Sequence, residues 1–279
     1  MRHTALKTIL LASVAMAMPG LSGAARADQQ KFIDAHVHYS HDAWDRLPPE
    51  AAVKILRDAG LAQVFVSSSS DEGTQRLYQA APDLIVPVLR PYRSRGELST
   101  WFRDPTAGDH VEARLKQYRY AGIGEFHIFG ADADSEVMRR LVKLAAEYKL
   151  FLHAHGDADA VRRLFAQDPQ ARILWAHSGF VPPAEVRQML ETYPTLWADL
   201  AFRNDHAADG RVDPAWRAVF EAFPDRFMAG TDTFTPERWY YIGEHAKWTR
   251  AWLTDLPAPL ADNIAWRNAT ALARWQPPQ

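Results

Sequence analysis

The feature that most restricts the fold of this chain is an alternation. Eight short apolar runs, at 31–38, 61–68, 84–92, 121–128, 150–155, 172–177, 196–203 and 226–232, are separated by stretches with helical signals. Those stretches lie at 48–60, 72–81, 109–118, 135–149, 158–167, 183–192 and 214–223, with two more, 236–256 and 259–275, closing the chain. The clearest is 135–149. Ser135 stands where an N-cap belongs, and Val137, Leu141, Leu144, Ala145 and Tyr148 fall on one face. The strand-like runs are apolar throughout, as a parallel sheet covered on both faces requires. Strands alternating with helices predict a parallel β/α architecture. Eight such units in about 250 residues fit a closed (β/α)8 TIM barrel of one domain. A doubly wound open sheet would place a glycine-rich phosphate loop after its first strand. That place is taken here by His36, Val37, His38 and Tyr39.

The first 27 residues read differently. Arg2 and Lys7 precede an apolar run from 9 to 18, then Pro19-Gly20 and the small-residue site Ala25-Arg26-Ala27. This is the order of a secretory signal peptide cleaved after Ala27. The run is short for a membrane span, and no further candidate follows it. The expected mature domain is 28–279, periplasmic or secreted. Cleavage would leave 252 residues and remove Arg2, Lys7 and Arg26, moving the formal charge from −2 to −5. A mildly acidic domain is a poor electrostatic partner for nucleic acid. The chain has no cysteine, so thiol nucleophiles and cysteine-based zinc sites are excluded.

Chemistry-bearing residues stand at the ends of the apolar runs. His36 and His38 are two apart, so in a strand they share a face. Glu125 lies in the fourth run, His153 and His155 end the fifth, His177 ends the sixth and Asp232 ends the eighth. In a barrel all of these converge over the mouth. Nitrogen and carboxylate donors without thiolate suit one or two divalent ions, Zn²⁺ first, Mn²⁺ or a similar ion next. His153 and His155 have the same parity, and both can face inward. Arg90, ending the third run, could clamp a substrate carboxylate or pair with a loop; Arg203, after the seventh, has the same two readings. His127 could support Glu125 or simply pack. His41, His110, His206 and His245 read as surface or loop histidines. Trp239, Trp248, Trp252, Trp266 and Trp275 read as helix packing, with a homodimer surface as the alternative for exposed ones. The serines at 67–70 lack a nucleophile elbow and read as a loop.

This ordered set resembles the amidohydrolase superfamily, in its amidohydrolase-2 branch. The pattern is H-x-H after strand one, Lys or Glu on strand four, His on strands five and six, and Asp on strand eight. The likeness spans essentially the whole mature chain, including Ile264-Ala-Trp-Arg-Asn-Ala269 near the end. The resemblance implies that His36 and His38 bind a buried metal completed by Asp232, and that Glu125 binds or bridges. It implies that His153 and His177 hold a second metal or position and polarise substrate. By the same likeness His153 is preferred as the strand-five ligand, leaving His155 as a substrate contact. The expected reaction is metal-dependent hydrolysis of an amide, lactone or ester of a small molecule, with Asp232 as general base. Phosphoester hydrolysis, decarboxylation and non-catalytic ligand binding are the alternatives.

Overall fold

The computed structural model describes residues 30–275; the leader expected at 1–27 lies outside the described residues. Eight strands are consecutive neighbours in one parallel sheet: β1 (Phe32–Val37), β2 (Leu61–Val66), β3 (Ile85–Leu89), β4 (Gly122–His127), β5 (Phe151–His155), β6 (Ile173–Trp175), β7 (Leu196–Asp199) and β10 (Phe227–Met228). A two-residue hairpin, β8 (Ala207–Ala208) with β9 (Arg211–Val212), sits in the connection after β7. No regular ladder joins β10 to β1, yet the barrel is nearly closed by single bonds. Ala35 N–H donates to the Ala229 carbonyl at 3.0 Å, and Asp232 N–H donates to the His36 carbonyl at 2.8 Å.

That seam explains a difference from the sequence reading. The eighth run was expected to be strand through Asp232, but only Phe227 and Met228 pair with β7. From Ala229 onward the backbone groups are taken elsewhere: Ala229 N–H bonds Ile264 O, and Thr231 N–H bonds the Asp34 carboxylate at 3.0 Å. The buried Asp34 also accepts from His36 N–H at 3.1 Å and from the Thr231 hydroxyl. A side chain thus replaces a ladder in stitching the first strand to the last. Burial pushes the Asp34 carboxyl up to about 6, against the pull of these donors.

Helices α1 (His41–Trp44), α2 (Pro49–Asp58), α3 (Asp71–Ala80), α4 (Pro105–Gln117), α5 (Glu136–Glu147), α6 (Ala158–Gln167), α7 (Pro183–Thr192), α8 (Pro214–Ala222), α9 (Ile242–Leu253), α10 (Ala258–Asp262) and α11 (Asn268–Ala273) connect the strands and close the chain. Side-chain caps begin several of them. Asp104 accepts from Thr106 N–H, Ser135 from Met138 N–H, Asp157 from Ala160 N–H, and Asp213 from both Ala215 and Trp216. The Asp104 cap makes α4 start before the 109 expected. The stretch 236–256 divides into a 3₁₀ turn (Pro236–Tyr241) and α9, and the last stretch holds a π-turn (Asn263–Arg267) between α10 and α11. Ile33, Phe65, Val86, Val88, Phe151, Leu174 and Met228, drawn from six strands, meet in one buried cluster with Leu272 of α11. Only a barrel interior brings side chains of so many strands together. The other apolar clusters pack the helices around it, with Trp239 and Trp252 buried among them as the sequence suggested.

Candidate metal centre

His36 and His38 project from β1 and its exit on the same side, and their Nε2 atoms lie 3.1 Å apart. What holds each ring decides what those nitrogens can do. His38 Nδ1 donates to the Ser67 carbonyl at 2.7 Å, so its proton is on Nδ1 and its Nε2 is a bare lone pair. His36 Nδ1 meets the Asp199 carboxylate at 3.1 Å, and His177 Nδ1 donates to the Ala201 carbonyl at 2.8 Å. All three rings therefore turn Nε2 inward. The Ser67–Ser70 stretch, expected as a plain loop, supplies this carbonyl and is buried through Ser69.

His177 and Asp232 are delivered by backbone that few residues adopt. β6 stops at Trp175, and His177, Ser178 and Gly179 follow in a tight left-handed turn with φ of 55°, 49° and 65°. Asp232 has φ 60°. A non-glycine residue held this way costs on the order of 1–3 kcal/mol. Here the strain turns both side chains over the barrel mouth. Asp232 Oδ1 is 3.3 Å from His38 Nε2 and 3.9 Å from His36 Nε2, and within the protein it has no hydrogen-bond donor although it is buried.

Glu125 on β4 sits at the middle. Its Oε1 is 2.8 Å from His155 Nδ1 and 3.5 Å from both His36 Nε2 and His177 Nε2; its Oε2 is 3.1 Å from His38 Nε2 and paired with Arg90. Arg90 also donates to the Glu125 carbonyl at 2.9 Å, so it is first a partner of Glu125. His127 stacks on His155 with centroids 4.1 Å apart, and its Nδ1 is 2.9 Å from the Tyr92 hydroxyl. Burial drives the His127 imidazole down to about 3.

The two strand-five histidines face inward at different depths. His153 Nε2 lies 2.9 Å from Asp199 Oδ2 and its ring packs edge-on against His36 at 4.6 Å. The likeness implies His153 as the strand-five ligand; in the structure its Nε2 is engaged by Asp199 beside His36, whereas His155 reaches Glu125. The physical reason is Asp199, at the end of β7, which the sequence reading passed over. Its Oδ2 takes both His36 and His153, while Oδ1 accepts from His177 N–H at 2.8 Å and Ala201 N–H at 3.1 Å. A strand-end carboxylate was the available signal.

Of the two readings of Arg203, substrate clamp or loop pairing, the structure shows the pairing. Its guanidinium pairs with Asp205, donates to the His177 and Val181 carbonyls, and faces a neighbouring cavity. His206 and His245, read as surface or loop residues, are buried, His206 among Trp216, Trp248 and Trp252.

These donors fit a divalent cation. Ligands about 2 Å from a tetrahedral ion stand ~3.3 Å from one another, and the Nε2 and Oδ1 atoms of His36, His38 and Asp232 are spaced at 3.1, 3.3 and 3.9 Å. Bare lone pairs at such spacing repel unless a positive charge lies between them. The electrostatics agree. Burial alone would lower His36, but Glu125 and Asp199 overcome it and hold its pKa well above the ordinary value, so the centre favours a positive charge, supplied by a proton on Nε2 or by a cation in its place. Burial would raise Glu125 and Asp232, yet the surrounding histidines keep both below theirs. Asp232, His38, Glu125, His155, His177 and Arg90 line a cavity of about 460 Å³ that opens at the mouth.

The family model described as amidohydrolase matches residues 33–275. Solved structures share the fold. An uncharacterised TIM-barrel protein from Bordetella bronchiseptica is 14% identical, covering 87% of this chain and 98% of its own, with a TM-score of 0.62. A putative 2-pyrone-4,6-dicarboxylic acid hydrolase from Pseudomonas putida is 16% identical over 88% of this chain and 98% of its own, also at 0.62. An amidohydrolase from Burkholderia multivorans is 14% identical over 88% and 100%, at 0.52. A search of curated proteins finds no match.

Proposed function

The chain belongs to the amidohydrolase family and is a hydrolase of the amidohydrolase superfamily, and from that footing we propose that it cleaves an amide, lactone or ester of a small molecule at a divalent-metal centre. One observation carries this reading. Three histidines with Nδ1 engaged by acceptors turn Nε2 toward the Asp232 carboxylate, whose buried Oδ1 has no donor within the protein, beneath an open cavity.

His36, His38 and Asp232 would hold the ion, with His177 beside them. A bound divalent ion supplies a Lewis acid, which lowers the pKa of water and polarises a carbonyl oxygen. The rest belongs to the chain. Asp232 is kept ionised by His38 and His36 against its burial, so it can take the proton of the attacking water. The new bond runs from the water oxygen to the carbonyl carbon. As the carbon–nitrogen or carbon–oxygen bond breaks, the same proton passes from Asp232 to the leaving atom. Arg90 and His155 both face the cavity from opposite sides of Glu125; Arg90 can donate to substrate oxygen there, while His155, its Nδ1 proton given to Glu125, offers an acceptor Nε2. Asp199 fixes the tautomer of His36 and the position of the His177 backbone.

Metal content of the purified protein, with Asp232→Asn beside it, tests the proposal. At least one equivalent of zinc, manganese or a similar ion is expected in the wild type. The variant should lose activity on a panel of amides, lactones and esters by about 10²-fold or more. A wild-type protein that takes up no divalent ion on reconstitution would sink the proposal.

A further inference from the structure

We propose that the substrate's non-reacting part is a flat aromatic ring, seated against Phe180, Phe202 and Phe234 at the mouth of the cavity. The inference rests on the hydrolytic reading of the centre and names the class of molecule that reading leaves open. The three phenylalanines are 50%, 48% and 42% exposed, and all three line the cavity that holds Asp232 and His177. Single exposed apolar side chains need no explanation, but a cluster around a polar site marks a binding surface. These rings come from three separate connections, those following β6, β7 and β10, so their meeting is a product of the fold.

Their arrangement is specific. Phe202 and Phe234 stand edge to face with centroids 5.2 Å apart at 85°, and Phe180 and Phe202 at 6.4 Å and 87°. Phe180 stacks on His177 at 4.5 Å, which sets one wall directly against the metal centre. Two of the three are held at positive φ, 54° for Phe180 and 54° for Phe202. Backbone strain of this kind at an exposed phenylalanine gains nothing for the core, since the ring it orients stays half in water. Arg238 braces the wall from behind. Its guanidinium lies 4.7 Å from the Phe202 ring and 5.3 Å from that of Phe234, and it donates to the Thr231 and Asp232 carbonyls. The wall and the turn carrying Asp232 are thereby one unit.

Perpendicular ring pairs offer both faces and edges to a third ring. The cavity beneath is small for a ligand site, about 460 Å³, within the roughly 300–1,000 Å³ of small-molecule pockets. A single ring on a short linker, with its carbonyl reaching Arg90, matches that division into an apolar rim and a polar floor.

Calorimetric titration with three carboxylates that differ only beyond the linker tests this: 3-phenylpropanoate, 3-cyclohexylpropanoate and propanoate. The phenyl probe should bind at least about tenfold tighter than propanoate and more tightly than the cyclohexyl probe. Phe202→Ala should erode the phenyl preference severalfold without changing metal content or propanoate binding. Phe202→Leu, which keeps bulk and lacks the ring's charge pattern, should lose the phenyl-over-cyclohexyl preference. Equal binding of the probes, no measurable binding of the phenyl probe, or a preference untouched by these variants overturns the inference. Metal content and hydrolysis are read separately. A protein that prefers the phenyl probe but takes no metal keeps the subsite and loses the hydrolytic reading; one that takes metal and hydrolyses without that preference does the reverse.

Discussion

Single residues at the centre act through their acceptors as much as through their own chemistry. Asp199 is the sharpest case. It never reaches the cavity, yet it holds the proton of His36 on Nδ1 and accepts from the backbone of His177. Asparagine at this place keeps the shape but exchanges one acceptor oxygen for a donor. Asp199→Asn is therefore expected to weaken metal binding by about 10–100-fold, as outer partners of ligating histidines commonly do. Chelator competition measures this, and an unchanged affinity would show that the His36 orientation is set by packing alone. H-x-H, Glu125, His177 and Asp232 were legible in the sequence because residue type and strand-end position suffice to list candidate donors. How His153 and His155 divide between Asp199 and Glu125 was not. Both have the right parity, and the choice turns on Asp199, which comes from a strand 46 residues further along the chain.

Among the elements, the turns after the strands carry more of the function than the strands do. The turn at 176–180 packs Gly179 against Trp175. A Cβ built on Gly179 would lie 2.0 Å from the Trp175 ring, at a φ of 65° that side chains tolerate poorly. Gly179→Ala should cost about 1–3 kcal/mol through overpacking and strain, which for a domain of this size lowers the melting temperature by roughly 2–4 °C per kcal/mol. Because His177 is in the same turn, metal affinity should fall with it. Thermal melts with and without metal would check both, and a variant as stable as the wild type in each would refute the account. Most helix starts were readable from proline and capping residues, those at Pro105 and Ile242 being among the exceptions. The shortness of β6 and β10 was not, since an apolar run does not reveal that its last amides will bond to a side chain or to another segment.

At the scale of the whole molecule, the barrel buries imidazoles that have no role at the centre. His206 is pushed down to about 3 and His245 to about 4, chiefly by burial, and neither ring nitrogen of His206 has a hydrogen-bond partner within the protein. Both are neutral when folded and take up protons near 6.5 when unfolded. The unfolded state therefore binds more protons as pH falls through about 6.5, and stability should decline from there toward pH 4. His206→Leu removes one such group and should flatten that decline by on the order of a few kcal/mol. Denaturant melts at pH 7 and pH 5 measure the difference, and parallel losses in both proteins would count against it. Sequence alone determined the parallel β/α order, the barrel and the kinds of donor at its mouth, because these follow from local periodicity and residue chemistry repeated along the chain. Only the tertiary structure decided the depth of each histidine, the pairing of Arg90 with Glu125, the placement of Arg203 at a neighbouring cavity and the aromatic wall. Each of these depends on side chains from distant strands meeting in one place, and on competition for a limited number of hydrogen-bond acceptors, which no single stretch of sequence contains.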